Sequence, residues 1–356
     1  DMPEAWLLLA SLQTQNQEMQ RAQGSLRKFF ELTDAAGEAQ RNQRLMTQAY
    51  ALAAQISEKQ GDLEAARSWL DRIENAGEIF SVQRQRASLL AKQGQISEAR
   101  TLLRNLPGST ADERRLKLLA EVQLLKDSGE NEQAYRLQSE AIALTPEDND
   151  LVYDQAMLAE KTGRLDEMET LLRQVIARQP DYHHAYNALG YSFADRGVRL
   201  EEAKRLIQKA LEFAPEDPFI PDSLAWVEFR LGNKGEAVRL LRFAFAKKPD
   251  SEIAAHLGEV LWSQGNTSEA KAIWQEGLRL NPNNSTLKGT LKRLGVSLCP
   301  QLTPPGTASG LQPGNGVRSS QQARPVCWGS VYSAAPLRAW SRSPSGPIGL
   351  GALHCR

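Results

Sequence analysis

The chain has 356 residues with 43 basic and 43 acidic side chains, so it offers no net charge to a nucleic acid or an anionic membrane surface. Apolar residues make up 41% of it, but no run is long and uncharged enough to span a bilayer, and the three cysteines, Cys299, Cys327 and Cys355, fit no metal or redox spacing. The charge balance hides an asymmetry: residues 299–356 hold five arginines and no Lys, Asp or Glu, which leaves the preceding part near −5 without a basic stripe and excludes nucleic acid as the expected partner.

Seven glycines, Gly61, Gly94, Gly129, Gly163, Gly197, Gly232 and Gly265, recur at steps of 33, 35, 34, 34, 35 and 33 residues. Five prolines, Pro146, Pro180, Pro215, Pro249 and Pro282, run in phase with them at 34, 35, 34 and 33. Each step predicts one helix, a turn and a second helix. In chain order, the first unit is carried by Trp6, Leu9, Ala10, Ala22 and Phe29, and its turn lacks the glycine. The second carries Tyr50, Ala53, Ala54, Ala66 and Leu70 around Gly61. Arg86 stands in the third where a leucine is expected, and Met168 in the fifth where a small residue is expected, so both units are expected to pack less regularly. The sixth carries Tyr186, Leu189, Gly190, Phe193, Ala203, Ala210 and Pro215, with one extra residue in the turn before Ala203. The clearest unit is 251–282, where Ala254, Leu257, Gly258 and Leu261 recur at helical spacing, stop at Gly265, and resume through Ala270, Ile273, Trp274 and Gly277 to Pro282. No such pair buries its apolar face alone, so stacking must supply the core.

A short amphipathic helix over 285–294, within a segment 284–298, is expected to cap the array, with Lys288, Lys292 and Arg293 solvating its outer face. From 299 the composition turns to Pro, Gly and Ser, which predicts disorder and reads as vector read-through or a shifted frame rather than native sequence. The alternative for this tail is a proline-rich recognition segment. No P-loop, dinucleotide fingerprint, HExxH or GxSxG occurs, so no catalytic residue and no cofactor is assigned. His183 and His184 are adjacent on a helix and point about 100° apart, so they are not expected to share a metal. His256 and Glu259, at i and i+3, are read as a half-buried helix face, and no metal site is assigned.

In its period and signature positions the chain resembles the tetratricopeptide repeat family. That resemblance implies an all-α right-handed solenoid of about eight helix pairs over 1–283, followed by the capping helix. It also implies that the first helix of each pair lines a concave groove that binds protein or peptide clients. Carried onto this chain, the groove row is Tyr153 and Met157, then His184, Asn187 and Tyr191, then Phe219, Asp222, Trp226 and Phe229, then Glu252, Glu259 and Trp262. Asn187 is the candidate to hold a client's main chain, and Tyr191 and Trp226 are the leading hot spots, with Trp226→Ala expected to cost about 2 kcal/mol of binding. Phe229 and Trp262 are read equally as groove and as core. The charged clamp of co-chaperone repeats is not reproduced, since only Arg230 and Lys161 come near the row.

The runs NALGYSFADRG, DSLAWVEFRLG and EIAAHLGEVLWSQG, within 187–278, are similar to Gram-negative cell-envelope lipoproteins built from these repeats. One branch of that group scaffolds a carboxy-terminal processing protease and delivers murein hydrolases to it. The resemblance implies a non-enzymatic adaptor in the periplasm, tethered to the outer membrane by an N-terminal lipid anchor that the chain, starting inside a repeat, is expected to lack. The cysteine-free array is compatible with an oxidising compartment. The alternatives are the repeat portion of a larger enzyme, such as a glycosyltransferase or metalloprotease, or a cytoplasmic assembly chaperone. Self-association through exposed aromatic faces is a further expectation.

Overall fold

The computed structural model describes residues 2–36, 42–108 and 110–298. The expectations for 299–356, including its three cysteines, lie outside the described residues. Among these there are 17 α-helices and no strand, in agreement with the predicted all-α class. The chain divides into two compact units, Asp1–Thr162 and Gly163–Arg356.

The first unit contains α1 (Pro3–Gln15), α2 (Met19–Ala36), α3 (Gln43–Lys59), α4 (Leu63–Leu70), α5 (Phe80–Lys92), α6 (Ile96–Arg104), α7 (Ala111–Asp127), α8 (Asn131–Leu144) and α9 (Asn149–Lys161), with a 3-10 turn at Ala76–Glu78. Its core is a chain of small clusters. Leu7, Ala10, Ala22, Leu26 and Phe29 meet Ala49, Ala53 and Ile56 of the next pair. Ala54, Ala66 and Leu70 meet Val82 and Leu89, and Ala87, Ala99 and Leu103 meet Ala120 and Leu124. Each cluster is completed by the following pair, which is how a repeat too small to bury its own stripe becomes stable.

The second unit contains α10 (Leu165–Arg178), α11 (His183–Arg196), α12 (Leu200–Phe213), α13 (Phe219–Arg230), α14 (Lys234–Lys247), α15 (Ser251–Ser263), α16 (Thr267–Leu280) and α17 (Ser285–Leu294). The pairs are α11/α12, α13/α14 and α15/α16. First helices pack side by side, α11 on α13 and α13 on α15, while each second helix also touches the first helix of the next pair. α17 packs on α15 and α16, where a further first helix would stand, with Leu287 fully buried beneath it. Its Arg293 pairs with Glu259 of α15 at 2.5 Å.

The turns follow the glycine ladder. All seven rungs adopt φ between +70° and +93°, the left-handed region that ends a helix without a Cβ clash. In the first pair, which lacks the glycine, Gln17 takes that role at φ 63°. The extra residue before α12 is absorbed by Arg199 at φ 46°. Arg199 is held there by the Glu169 carboxylate and by the Phe193 ring, whose centroid lies 3.8 Å from the guanidinium carbon.

The expected irregularities resolve differently from one another. In the third pair, Arg86 reaches the end of α4, donating to the Leu70 carbonyl at 3.3 Å and pairing with Asp71 at 3.0 Å. A cation at a helix C-terminus satisfies carbonyls that have no intrahelical partner, so a charged side chain replaces leucine there. The departure from regularity is instead in length: α4 has 8 residues and α6 has 9, against 14 in α8, α12, α14 and α16. Pro107 follows α6 closely and prevents its extension. Met168 is fully buried and α10 still runs 14 residues, because an unbranched thioether adapts to the space.

Close approach within a pair is clearest where the Trp274 indole lies across Gly258 and donates to the Ala255 carbonyl at 3.3 Å. A Cβ at Gly258 would overlap that indole. Gly265 is the reverse case, with open space around the Cβ position but φ at +84°. Gly258→Ala is expected to destabilise by about 1–3 kcal/mol through overpacking, and Gly265→Ala by about 1–2 kcal/mol through backbone strain alone. Only the first loss should be relieved by Trp274→Phe in a double-mutant unfolding cycle.

An ion network joins α10 and α12, in which Glu169 receives Arg199 and Arg173, and Arg173 also meets Glu202 at 2.6 Å. The hydrogen bond from Arg199 outweighs partial burial and draws the Glu169 carboxyl from its ordinary 4.5 down to about 2. A folded-state value below the unfolded one stabilises above pH 4.5, and that contribution is lost as pH falls toward 2. The network is solvent-exposed, so its worth is at most about 1 kcal/mol after screening. Glu169→Gln should therefore melt below the parent at pH 7, and the gap should close on acidification through that window; a gap independent of pH would contradict the ion-pair account.

Candidate functional site

The first helix of each pair, with a second-helix partner behind it and first helices on either side, is the most enclosed element of the repeat. In α11 the residues 187–194 are buried without interruption, in α13 the residues 220–228, and in α15 the residues 253–261. The second helices bury only a stripe, such as Ala203, Ile207 and Ala210 in α12.

The repeat length sets which side chains face each other across these first helices. Asn187, Asp222 and His256 stand 35 and 34 residues apart and occupy the same position on α11, α13 and α15. Tyr191, Trp226 and Val260 repeat the alignment one turn later. The two ladders interlock. His256 Nδ1 meets Asp222 Oδ1 at 2.9 Å, and its Nε2 makes a longer contact of 3.4 Å with the Tyr191 hydroxyl. The Trp226 indole stacks on the same imidazole, with ring centroids 4.5 Å apart and planes 24° from parallel, and its centroid lies 5.4 Å from that of Phe229 in a tilted pair.

This placement corrects the exposure expected of the row. Tyr191 is 6% exposed, Trp226 2%, Asn187 6% and Asp222 1%, so the two leading hot-spot aromatics are packed inside the unit. The cause is the closeness of the first helices: Tyr191 of α11 reaches His256 of α15 past α13. Phe219, Phe229 and Trp262 remain half-buried, and His184 is exposed. Phe219 lies under the Lys248 ammonium at 4.4 Å, and Trp262 packs on Trp274 with centroids 5.6 Å apart. Glu252 is half-buried and Glu259 buried against α17. Tyr153 and Met157, on α9, are half-buried members of the first unit.

His256, read from sequence as part of a half-buried face, is fully buried and is the centre of the cluster. The signal that would have found it is its offset of 34 residues from Asp222, one repeat length. Two buried polar atoms in the same region have no hydrogen-bond partner: the Asn187 Oδ1 acceptor and the Trp226 Nε1 donor. Leaving such an atom unpaired costs about 1–3 kcal/mol.

The adjacent histidines also depart from expectation. His183 and His184 are the first residues of α11, and their ring centroids lie 3.9 Å apart. Divergence by 100° describes Cβ directions in mid-helix; at the first turn no preceding turn restricts the rotamers, so the rings can swing together. Among the described residues, no helix is long and apolar enough to cross a membrane.

Comparison with known proteins gives a consistent picture of the architecture. Residues 47–72, 153–218 and 223–285 match the tetratricopeptide repeat. The chain is 40% identical over 239 residues to the TPR repeat-containing protein PA4667 of Pseudomonas aeruginosa, covering 67% of this chain and 40% of that relative. It is 27% identical over 179 residues to the human protein O-mannosyl-transferase TMTC1, covering 48% of this chain and 20% of the transferase. The chain thus spans less than half the length of these relatives. A crystal structure of a tetratricopeptide repeat protein from Parabacteroides merdae superposes with a TM-score of 0.53 at 17% identity, covering 69% of this chain and 98% of that one, which is likeness of fold.

Burial places the energetic weight of Trp226 in folding. Trp226→Ala is expected to lower stability by about 3–5 kcal/mol in urea unfolding, as for a large aromatic removed from a core. Trp262→Ala, at a half-buried position, should cost clearly less in the same measurement.

Proposed function

Because the chain carries tetratricopeptide repeats in both of its units, we propose that it is a non-enzymatic protein-interaction scaffold whose second unit holds an extended segment of a client along α11, α13 and α15. The observation that carries this reading is an orphaned donor and an orphaned acceptor buried on neighbouring first helices, Trp226 Nε1 on α13 and Asn187 Oδ1 on α11. A peptide main chain presents one carbonyl and one amide N–H per residue, the complement of that pair. Both atoms are buried, so a client must part the first helices to reach them. A solenoid accommodates this because each repeat is held only by its neighbours. The half-buried rings of Phe219, Phe229 and Trp262 then supply aromatic contact at the rim, at low entropic cost to the scaffold.

The finer reading places the scaffold in a bacterial cell envelope, anchored to the outer membrane through a lipid on a longer form of the protein. There it presents cell-wall hydrolases to a carboxy-terminal processing protease. The support for this is the resemblance of the runs within 187–278 to envelope lipoproteins of that type. One stretch of repeats holds the protease and another the client, which raises the client's effective concentration to about the millimolar range without any chemistry by the scaffold itself.

Asn187→Ala separates binding from folding. It deletes an unpaired buried acceptor, so the variant should keep or raise its melting temperature. If the acceptor holds a client, capture should weaken about three- to tenfold, the worth of one hydrogen bond of about 0.5–1.5 kcal/mol. The measurement is affinity capture from a Gram-negative envelope extract with the full chain, parent beside variant, with retained proteins identified by mass spectrometry. A processing protease or cell-wall hydrolase held by the parent and reduced in the variant supports both levels of the reading. Equal capture by the two removes the main-chain role of Asn187.

A further inference from the structure

The geometry points to a divalent transition-metal site at the start of α11, formed by His183, His184 and Asp217. One candidate ligand atom from each residue lies within 4.8 Å of the other two. The imidazoles come from the first two positions of α11, and the carboxylate comes from the turn between α12 and α13, one repeat further on. This is a convergence of two successive pairs and is independent of the buried cluster proposed to hold a client.

The donor set determines which ions suit it. Two imidazole nitrogens and one carboxylate oxygen favour borderline ions such as Zn2+, Co2+ and Ni2+ over Mg2+ and Ca2+, which prefer sites made of oxygen alone. Ligands bound to one Zn2+ at about 2.0–2.1 Å stand roughly 3.3 Å apart. Bringing the three groups to that spacing calls for rotation of the imidazoles toward the carboxylate, and His184 is exposed and His183 only half-buried. Asp217 is already oriented, because its Oδ1 accepts the main-chain N–H of Phe219 at 2.8 Å. Such an outer hydrogen bond fixes a ligating carboxylate in place. The helix N-terminus disfavours a cation, and the charge of Asp217 offsets that field. Three protein ligands leave at least one coordination position to solvent, so the ion is exchangeable.

Bound metal would tie the start of α11 to the α12–α13 turn and so hold two repeats at a set spacing. Anything that binds the folded chain alone stabilises it in proportion to occupancy. The site therefore makes the stability of this unit respond to available zinc.

The test is calorimetric titration of the full chain with ZnCl2 at pH 7.5. The background carries Cys299→Ser, Cys327→Ser, Cys355→Ser and His354→Asn, which removes the competing donors of the C-terminal segment. The expected result is one equivalent of Zn2+, bound at least tenfold more weakly by His183→Asn and by His184→Asn, and several-fold more weakly by Asp217→Asn. The rise in melting temperature on adding Zn2+, measured against each protein's own metal-free value, should appear in the parent and not in the histidine variants. No heat of binding up to millimolar Zn2+, or equal affinity in the parent and all three variants, overturns the site. Loss in only one histidine variant overturns the paired-imidazole arrangement.

Discussion

A helix pair of about 34 residues has an apolar stripe on each helix and too little of itself to cover both, so the whole structure depends on the next pair completing the burial. The consequences are visible in the small clusters of the first unit, each of which draws residues from successive pairs. They are equally visible in the second unit, where the first helices are buried on nearly every side and the second helices on one stripe. The turn glycines serve this constraint. A left-handed residue at each rung reverses the chain within a few residues, and helices joined so briefly must lie side by side.

Register follows from the same repetition. A side chain on one first helix faces the residue about 34 positions away on the next, so the composition of a single repeat position becomes a ladder through the core. At most positions the ladder is apolar. At Asn187, Asp222 and His256 it is polar, and the imidazole meets the carboxylate on one side and the tyrosine hydroxyl on the other. Buried polar groups are tolerated only where they find one another, and the ladder achieves this for Asp222 and His256 while leaving Asn187 Oδ1 without a partner. The same offset brings Arg293 of α17 to Glu259 of α15, so the last helix continues the register electrostatically while its lysines face solvent.

These facts shape how such a scaffold engages a client. Rings that look from sequence like a displayed aromatic row are divided by the packing into an interior pair, Tyr191 and Trp226, and a rim of Phe219, Phe229 and Trp262. The interior pair is enclosed between the first helices, and the rim offers contact area. Affinity for a main chain would then come at the cost of separating repeats that already pack closely. Under the proposed reading that favours clients with an extended segment over those with a folded surface, because an extended chain can lie along the helices and pair with single polar atoms.

The sequence by itself determined the repeat unit, the turn positions, the all-α class and the helix that follows the last pair. All of these arise from residues within one period: Gly265 ends a helix whatever lies beside it, and Pro282 ends the next. The buried centre was partly legible, since the offset between Asp222 and His256 equals the repeat, but which of the facing residues touch depends on the side-chain volumes of three helices together. Tertiary structure alone decided that Trp226 is enclosed while Trp262 is not fully so, because exposure is set by how closely neighbouring first helices approach. It also decided that the Asp217 carboxylate comes within 4.8 Å of ring nitrogens of His183 and His184. That meeting joins a turn to a helix start more than thirty residues earlier in the chain. Local periodicity is a property of one strand of sequence; convergence of this kind is a property of how successive repeats are packed.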